Sequence, residues 1–315
     1  MFQGRMPVEK RNLILEYENC HPTVLATIAY GSGAIPQQNS SCKDKKQIDL
    51  IEVVDDLEET IVEHMIQHPE NFTPSTLRFF RNASLKQLER GAPIVYFTND
   101  SFQGETIKRG FISKQQFLKS IYENKSLFVP FRLQKVVELV QCRDDEIYRA
   151  LVYEHQKTLM EALLMLPKEK HNLYDLMMRI CSFSYLGDLR MKLHCEDPNK
   201  IKNIVDGQLE YFYQDYEEVN YNYYQRGMSS SFGVNYEQIQ KDFSILPLDI
   251  QKLLESYTLD ENSSLEVTEA LEQYFIAASK KENLKQIWKG IQTVGVQKAL
   301  VYGLRKAKKG MTKKS

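Results

Sequence analysis

The residues best suited to chemistry in this chain surround a turn. Val24 to Tyr30 is an apolar run ending in Gly31-Ser-Gly33, and sixteen residues after Gly33 the carboxylate of Asp49 opens a second apolar run, Ile48 to Val54. Glycines let backbone N–H groups approach a triphosphate closely. A carboxylate can hold the Mg²⁺ that neutralises charge as an α-phosphate is attacked. Turn, loop and carboxylate in this order form the front end of a nucleotidyl-transfer site. Gly-Ser-Gly alone is also an ordinary turn, so the elements around it have to support the reading.

Those elements follow from periodicity and breakers. Residues 11–19 predict a short helix, Val24 to Tyr30 a strand, Ser32 to Gln47 a polar loop and Ile48 to Val54 a second strand. Helices are expected over Leu57 to Gln67 and Ser75 to Leu88. Strands at Ile94 to Thr98 and Thr106 to Ser113 flank a turn at Asn99–Gly104, and Lys114 to Glu123 reads as a helix. Residues 1–140 thus predict a mixed α/β domain. From 141 to 279 the pattern is mainly helical, with apolar spacings of three and four over Glu146 to Met165 and Asn172 to Phe183. Seven aromatics between Tyr211 and Tyr224 read as packing, with a ligand groove as the alternative.

With 315 residues and 42% apolar content, the chain has room for about two domains and a substantial core. No apolar run approaches the roughly 20 residues of a membrane span. Five cysteines without a CxxC pair argue against a disulfide scaffold or a zinc site, and fit a reducing compartment. The N-terminus has no apolar signal region, and only about its first dozen residues resemble a presequence. Residues 280–315 hold eleven Lys and Arg against Glu282, a charge of +10 that leaves −11 on the other 279 residues. Leu284, Ile287, Trp288, Ile291 and Val294 share one helical face in this segment, with Lys285, Lys289 and Lys298 off it. A basic amphipathic helix of this kind suits an anionic membrane surface; a helix docked on the body is the alternative.

Seven blocks in order carry a resemblance to a family. They are Ala29-Tyr-Gly-Ser-Gly33, Asp49 through Asp56, Lys108 to Ser113, Leu127 to Lys135, Ser184 to Arg190, Asp197 to Val205 and Trp288 to Gly295. In these the chain resembles the mitochondrial CDP-diacylglycerol synthases of the translocator assembly and maintenance family, which are phosphatidate cytidylyltransferases. The resemblance implies a nucleotidyltransferase-type mixed-sheet domain, a helical winged-helix-like domain and a C-terminal amphipathic helix for membrane attachment. It implies Mg²⁺, CTP and phosphatidate, and a role in supplying cardiolipin and phosphatidylglycerol synthesis; the net acidic body argues against a nucleic acid partner. It places the protein peripherally on the matrix face of the mitochondrial inner membrane; a bacterial cytoplasmic membrane is the alternative. The chain departs from the family at Thr60-Ile61, His64 and Asn71-Phe-Thr73, at Phe131 where glycine is usual, and at Val136 where proline is usual.

On this reading Tyr30, Gly31, Ser32 and Gly33 cradle the nucleotide, with Gly31 and Ser32 on the β- and γ-phosphates. Asp49 is a metal ligand. A partner acid two residues on would share its metal, but that position is Ile51. Asp55 shares Asp49's face, yet six residues at about 3.3 Å each set it roughly 20 Å away on a straight strand. Asp55 is therefore a second candidate ligand or a substrate-shaping residue, with a carboxylate from elsewhere as the alternative. Lys108, Arg132 and Lys135 are candidate phosphate contacts; Arg132 and Lys135 share a face if the segment after Pro130 is helical. His64 and His68 stand one helical turn apart, but no glutamate follows in the HExxH manner. Phosphatidate brings its own ionised oxygen as nucleophile, so no Ser-His-Asp or Cys-His set is needed. Two rivals stay open: a nucleotidyltransferase with another acceptor, and a weakly active membrane-bound assembly factor.

Overall fold

The computed structural model describes residues 2–18, 23–37, 46–69, 72, 92–124, 126–166, 171–187, 197–217, 224–226 and 232–294. The helix expected over Ser75 to Leu88, the end of the Ser184 to Arg190 block beyond residue 187, and the tail beyond 294 lie outside them.

Helix α1 (Val8–Glu18) leads into β1 (Val24–Tyr30), the short α2 (Gly31–Ala34), β2 (Ile48–Val54) and α3 (Leu57–Gln67). Then come β3 (Val95–Phe102), β4 (Glu105–Ser113), α4 (Lys114–Tyr122), α5 (Pro130–Leu133) and β5 (Val137–Cys142). The sheet runs β3-β4-β2-β1-β5, with β2 and β4 parallel and the other pairs antiparallel. This is the mixed α/β architecture expected. The fifth strand was not: Val137-Glu-Leu-Val-Gln-Cys142 is short and carries Glu138 as its second residue and Gln141 as its fifth, so little apolar run is left to mark it. The buried Glu138 carboxylate accepts from the backbone N–H groups of Gly4 and Arg5, at 3.1 and 2.7 Å, so the interruption is a docking point for the N-terminal segment.

Local signals set the helix starts. Asp56 caps α3 by accepting from the Glu59 N–H, Ser113 caps α4 through the Gln116 N–H, and Asp144 caps α6 (Asp145–Leu164). Helix α7 (Leu173–Ser182) opens on an Asn172–Asp175 capping box. Helix α8 (Lys200–Glu217), the hairpin of β6 (Tyr224–Arg226) and β7 (Phe232–Val234), and the short α9 (Tyr236–Lys241) and α10 (Leu248–Leu254) follow. A backbone bridge joins His171 to Phe232. Helix α11 (Ser264–Val294) ends the described chain.

Alternation sorts the strand residues to two faces. Ala26, Ile28, Tyr30, Ile51 and Val53 pack under α4 and the start of α6, with Phe117, Ile121, Ile147 and Leu151. On the other face Ala29, Ile48, Leu50 and Ile107 join Leu163, Ile180, Phe212 and Phe275 in a core shared with the helical part. Phe212 and Tyr216 belong to that core, so the described part of the aromatic stretch packs rather than lines a groove. Beneath α3 the side chain of Arg109 is fully buried, donating from Nε to Glu52 at 2.8 Å and from Nη2 to Glu18 at 3.2 Å.

Residues 140 and 141 lie within β5 and residues 279 and 280 within α11, so a strand and a helix span the expected boundaries.

Candidate active site

The site lies where β1, β2 and β4 meet at one end of the sheet. In the ladder Tyr30 is opposite Asp49, and Asp49 is opposite Lys108 in the parallel β2–β4 pair. Gly31 takes a left-handed φ of +76°, and a Cβ there would stand 3.3 Å from Asp49 Oδ2. At Gly33 a Cβ would fall 1.9 Å from the Gln47 carbonyl oxygen, so glycine is what lets the returning loop cross the turn. The Ile35 N–H closes the turn on Gly31 O at 2.9 Å.

Lys108 Nζ is 3.3 Å from Asp49 Oδ1, with 16% and 28% of the two side chains exposed, so a ligand from solvent can reach both. The same ammonium stands 3.9 Å over the Tyr96 ring, and the Tyr96 hydroxyl is 3.0 Å from that of Tyr30. Burial pushes the Tyr30 hydroxyl well above its ordinary pKa, against the pull of Lys108 and Arg132, so it stays protonated at neutral pH. Arg132 donates to Phe128 O at 2.6 Å and lies over the Phe128 ring, which packs edge-on against Tyr96. A row of two aromatic rings thus carries two cations beside one carboxylate.

Lys135 diverges from Arg132. The helical turn after Pro130 is short, and Lys135 turns toward the helical part, donating to Ser184 Oγ at 2.7 Å beneath the Tyr185 ring. Asp55 is not brought in. It is exposed beyond the far end of β2, where its N–H bonds Thr23 O and Val54 is opposite Val24, while Asp49 is opposite Tyr30 at the near end. The β1–β2 pairing shifts register once, between Val24 and Ala26, but β2 stays paired from Asp49 to Val54, so the sharp turn that a shared metal would need is absent.

Three residues of the site were not singled out from sequence. Tyr96 supports Lys108 and faces Gly110, where a Cβ would meet its ring at 2.5 Å. Lys10 donates to Gly33 O at 2.8 Å, and Lys200 at the start of α8 donates to the Gln37 side chain at 3.0 Å. Lys200 lies in a block that carried the resemblance; Lys10 and Tyr96 left no signal, because only the folded register brings them here.

A glycine turn with left-handed backbone, a solvent-reachable carboxylate and cations at adjoining strand ends give this α/β protein a candidate site whose chemistry suits a phosphate-bearing ligand. The profile of the family described as "Phosphatidate cytidylyltransferase, mitochondrial" matches residues 17–255, and the chain belongs to that family. Proteins of the same description are similar to it along most of their length. One from Schizosaccharomyces pombe is 28% identical, covering 97% of this chain and 85% of its own. One from Xenopus laevis is 28% identical over 88% of each chain. One from Caenorhabditis elegans is 31% identical over 62% of this chain and 60% of its own.

Proposed function

We propose that the protein is a phosphatidate cytidylyltransferase, converting CTP and phosphatidate into CDP-diacylglycerol and pyrophosphate. The observation that carries this reading is the meeting of the Gly31–Gly33 turn, Asp49 and Lys108 at adjoining strand ends, in a chain of this family. An oxygen of the phosphatidate phosphate attacks the α-phosphorus of CTP, the bond to the β-phosphate breaks, and pyrophosphate leaves. The attacking oxygen is already ionised, so alignment and charge neutralisation do the catalysis. Gly31, Ser32 and Gly33 hold the β- and γ-phosphates. Lys108 and Arg132 offset charge at the α-phosphate, and Lys135 lies further along toward the helical part.

Mg²⁺ fits this donor set: the ion is commonly held by one or two carboxylates plus substrate phosphates, and Asp49 supplies one exposed carboxylate here. Bound there, it would polarise the phosphoryl oxygens.

The order α6, the bridge at His171, α7, α8 and the β6–β7 hairpin supports a winged-helix-like second domain over 141–279. For residues 280–315 the reading is attachment to an anionic bilayer. Leu284, Ile287 and Trp288 are 57–64% exposed on α11, while Glu282, Gln286 and Lys289 turn inward, Glu282 to Ser126 and Gln286 to Ile94 O. No described helix is long and apolar enough to cross a membrane. The relatives are described as mitochondrial, and the reading adds peripheral attachment to the matrix face of the inner membrane.

The test uses phosphatidate liposomes, Mg²⁺ and four nucleoside triphosphates labelled at the α-phosphate. Label entering lipid from CTP alone is expected. Label entering from another nucleotide, or none entering in a folded protein that binds the liposomes, overturns the reading.

A further inference from the structure

On the opposite face of the sheet from Asp49, three metal-ligating side chains converge under α3. His64 lies on that helix, His68 is its C-cap four residues on, and Asp100 comes across from β3. One donor atom from each falls within 4.8 Å of the other two. His64 Nε2 is 3.6 Å from Asp100 Oδ2, and both side chains are fully buried. Around a tetrahedral ion with bonds of about 2.1 Å, neighbouring donors stand about 3.4 Å apart. Small rotations therefore suffice to close the set.

A fourth donor is already in place. The Tyr17 hydroxyl, from α1, is 3.0 Å from Asp100 Oδ2 and 3.4 Å from His68 Nε2. The walls are mainly aromatic: the His64 ring packs at 4.4 Å from Phe97 and 5.4 Å from Phe111, centroid to centroid, and the buried Arg109 guanidinium, paired with Glu52, lies 4.7 Å over the Tyr17 and Phe111 rings. His68, only partly buried, gives the way in.

We propose that His64, His68 and Asp100, with Tyr17 as the fourth donor, form a structural site for a borderline transition-metal dication such as Zn²⁺, separate from the Asp49 site. Two imidazoles with one carboxylate suit Zn²⁺ or Co²⁺ and not Mg²⁺, which takes an all-oxygen octahedron. The ion would join α1, α3 and β3, three elements far apart in the chain. The i, i+4 histidines were visible in the sequence; the carboxylate and phenol that complete the set come from residues 32 or more positions away from them.

The experiment strips the full-length protein of metal with a chelator and titrates it with Co²⁺, following visible absorption, metal content per chain and thermal melting. The expected result is one equivalent of Co²⁺ per chain with the intense bands of tetrahedral coordination, displaced by Zn²⁺ but not by Mg²⁺. These bands persist in Asp49→Asn. His68→Gln weakens Co²⁺ binding about tenfold or more and removes the rise in Tm that Zn²⁺ gives the parent, without altering the metal-free circular dichroism. Asp100→Asn, which keeps the shape of the side chain, does the same and covers the case in which His68→Gln misfolds. Absence of stoichiometric binding, bands that survive either substitution in folded protein, or bands lost in Asp49→Asn overturn the proposal.

Discussion

Asp49 and Lys108 are held together by register more than by their mutual attraction, which is weak at this exposure. The β2–β4 ladder sets them side by side whether or not a ligand is bound. Asp49→Asn keeps the side-chain shape and removes the charge. Transfer of label from CTP to lipid is expected to fall about a hundredfold or more, a loss of ~3 kcal/mol of transition-state stabilisation, with Tm little changed. A fall that tracks unfolding instead would make Asp49 a structural residue. Gly33→Ala acts through space: its methyl would displace the Gln47 carbonyl. An overpacking cost of about 1–3 kcal/mol is expected, read as a lower Tm together with a raised KM for CTP. An unchanged KM would separate the turn from the nucleotide.

Helix α6 carries a buried run of charge that works against its own burial. Lys157 Nζ is 2.6 Å from Glu154 and 3.1 Å from Asn124 Oδ1, while Glu161, one turn on, is pushed up to about 8 by burial, with Glu154 adding to the rise and Lys157 opposing it. In the unfolded chain the Glu161 carboxyl titrates near 4.5. The folded state thus holds the extra proton between about 4.5 and 8, and stability from this group is lost as pH rises through that window. Glu161→Gln should raise Tm at pH 8 by about 4 °C or more and leave it near the parent at pH 5; equal shifts at both would discard the titration argument. Elements with local signals were legible in the sequence. The strands Val24–Tyr30 and Ile48–Val54 and the helix Leu57–Gln67 appear with the expected bounds, being apolar runs and capped starts. What was not legible depends on partners far along the chain. Strand β5 hides behind Glu138, whose role exists only once the N-terminal segment lies on it. The site was legible to the same depth: Gly31, Asp49 and Lys108 converge, whereas Asp55 shares the face of Asp49 without its end of the strand.

At the scale of the molecule, α11 changes its sense along its length. Val267, Leu271 and Phe275 near its start are buried in the core, whereas further on Glu282, Gln286 and Lys289 meet the body and Leu284, Ile287 and Trp288 face out. Trp288→Glu is expected to weaken binding to vesicles containing anionic lipid about tenfold or more while leaving transfer to short-chain, soluble phosphatidate unchanged. Loss of both would assign Trp288 to the catalytic body. The same helix has a second consequence together with the chain's first residues. Strands β3 and β5 are the two rims of the sheet, and unpaired strand rims invite other chains. Gln286 of α11 reaches the Ile94 carbonyl at the head of β3, and the Leu139 N–H of β5 is taken by Phe2 O at 2.6 Å. The opening residues and the last described helix therefore act as stoppers against stacking of one sheet on the next. Trimming residues 2–6 should yield concentration-dependent oligomers by light scattering, and a monomer would refute this role. Were a membrane to draw α11 outward, it would uncover a rim at the moment it gathered many copies onto one surface, so for this chain anchoring would favour self-association.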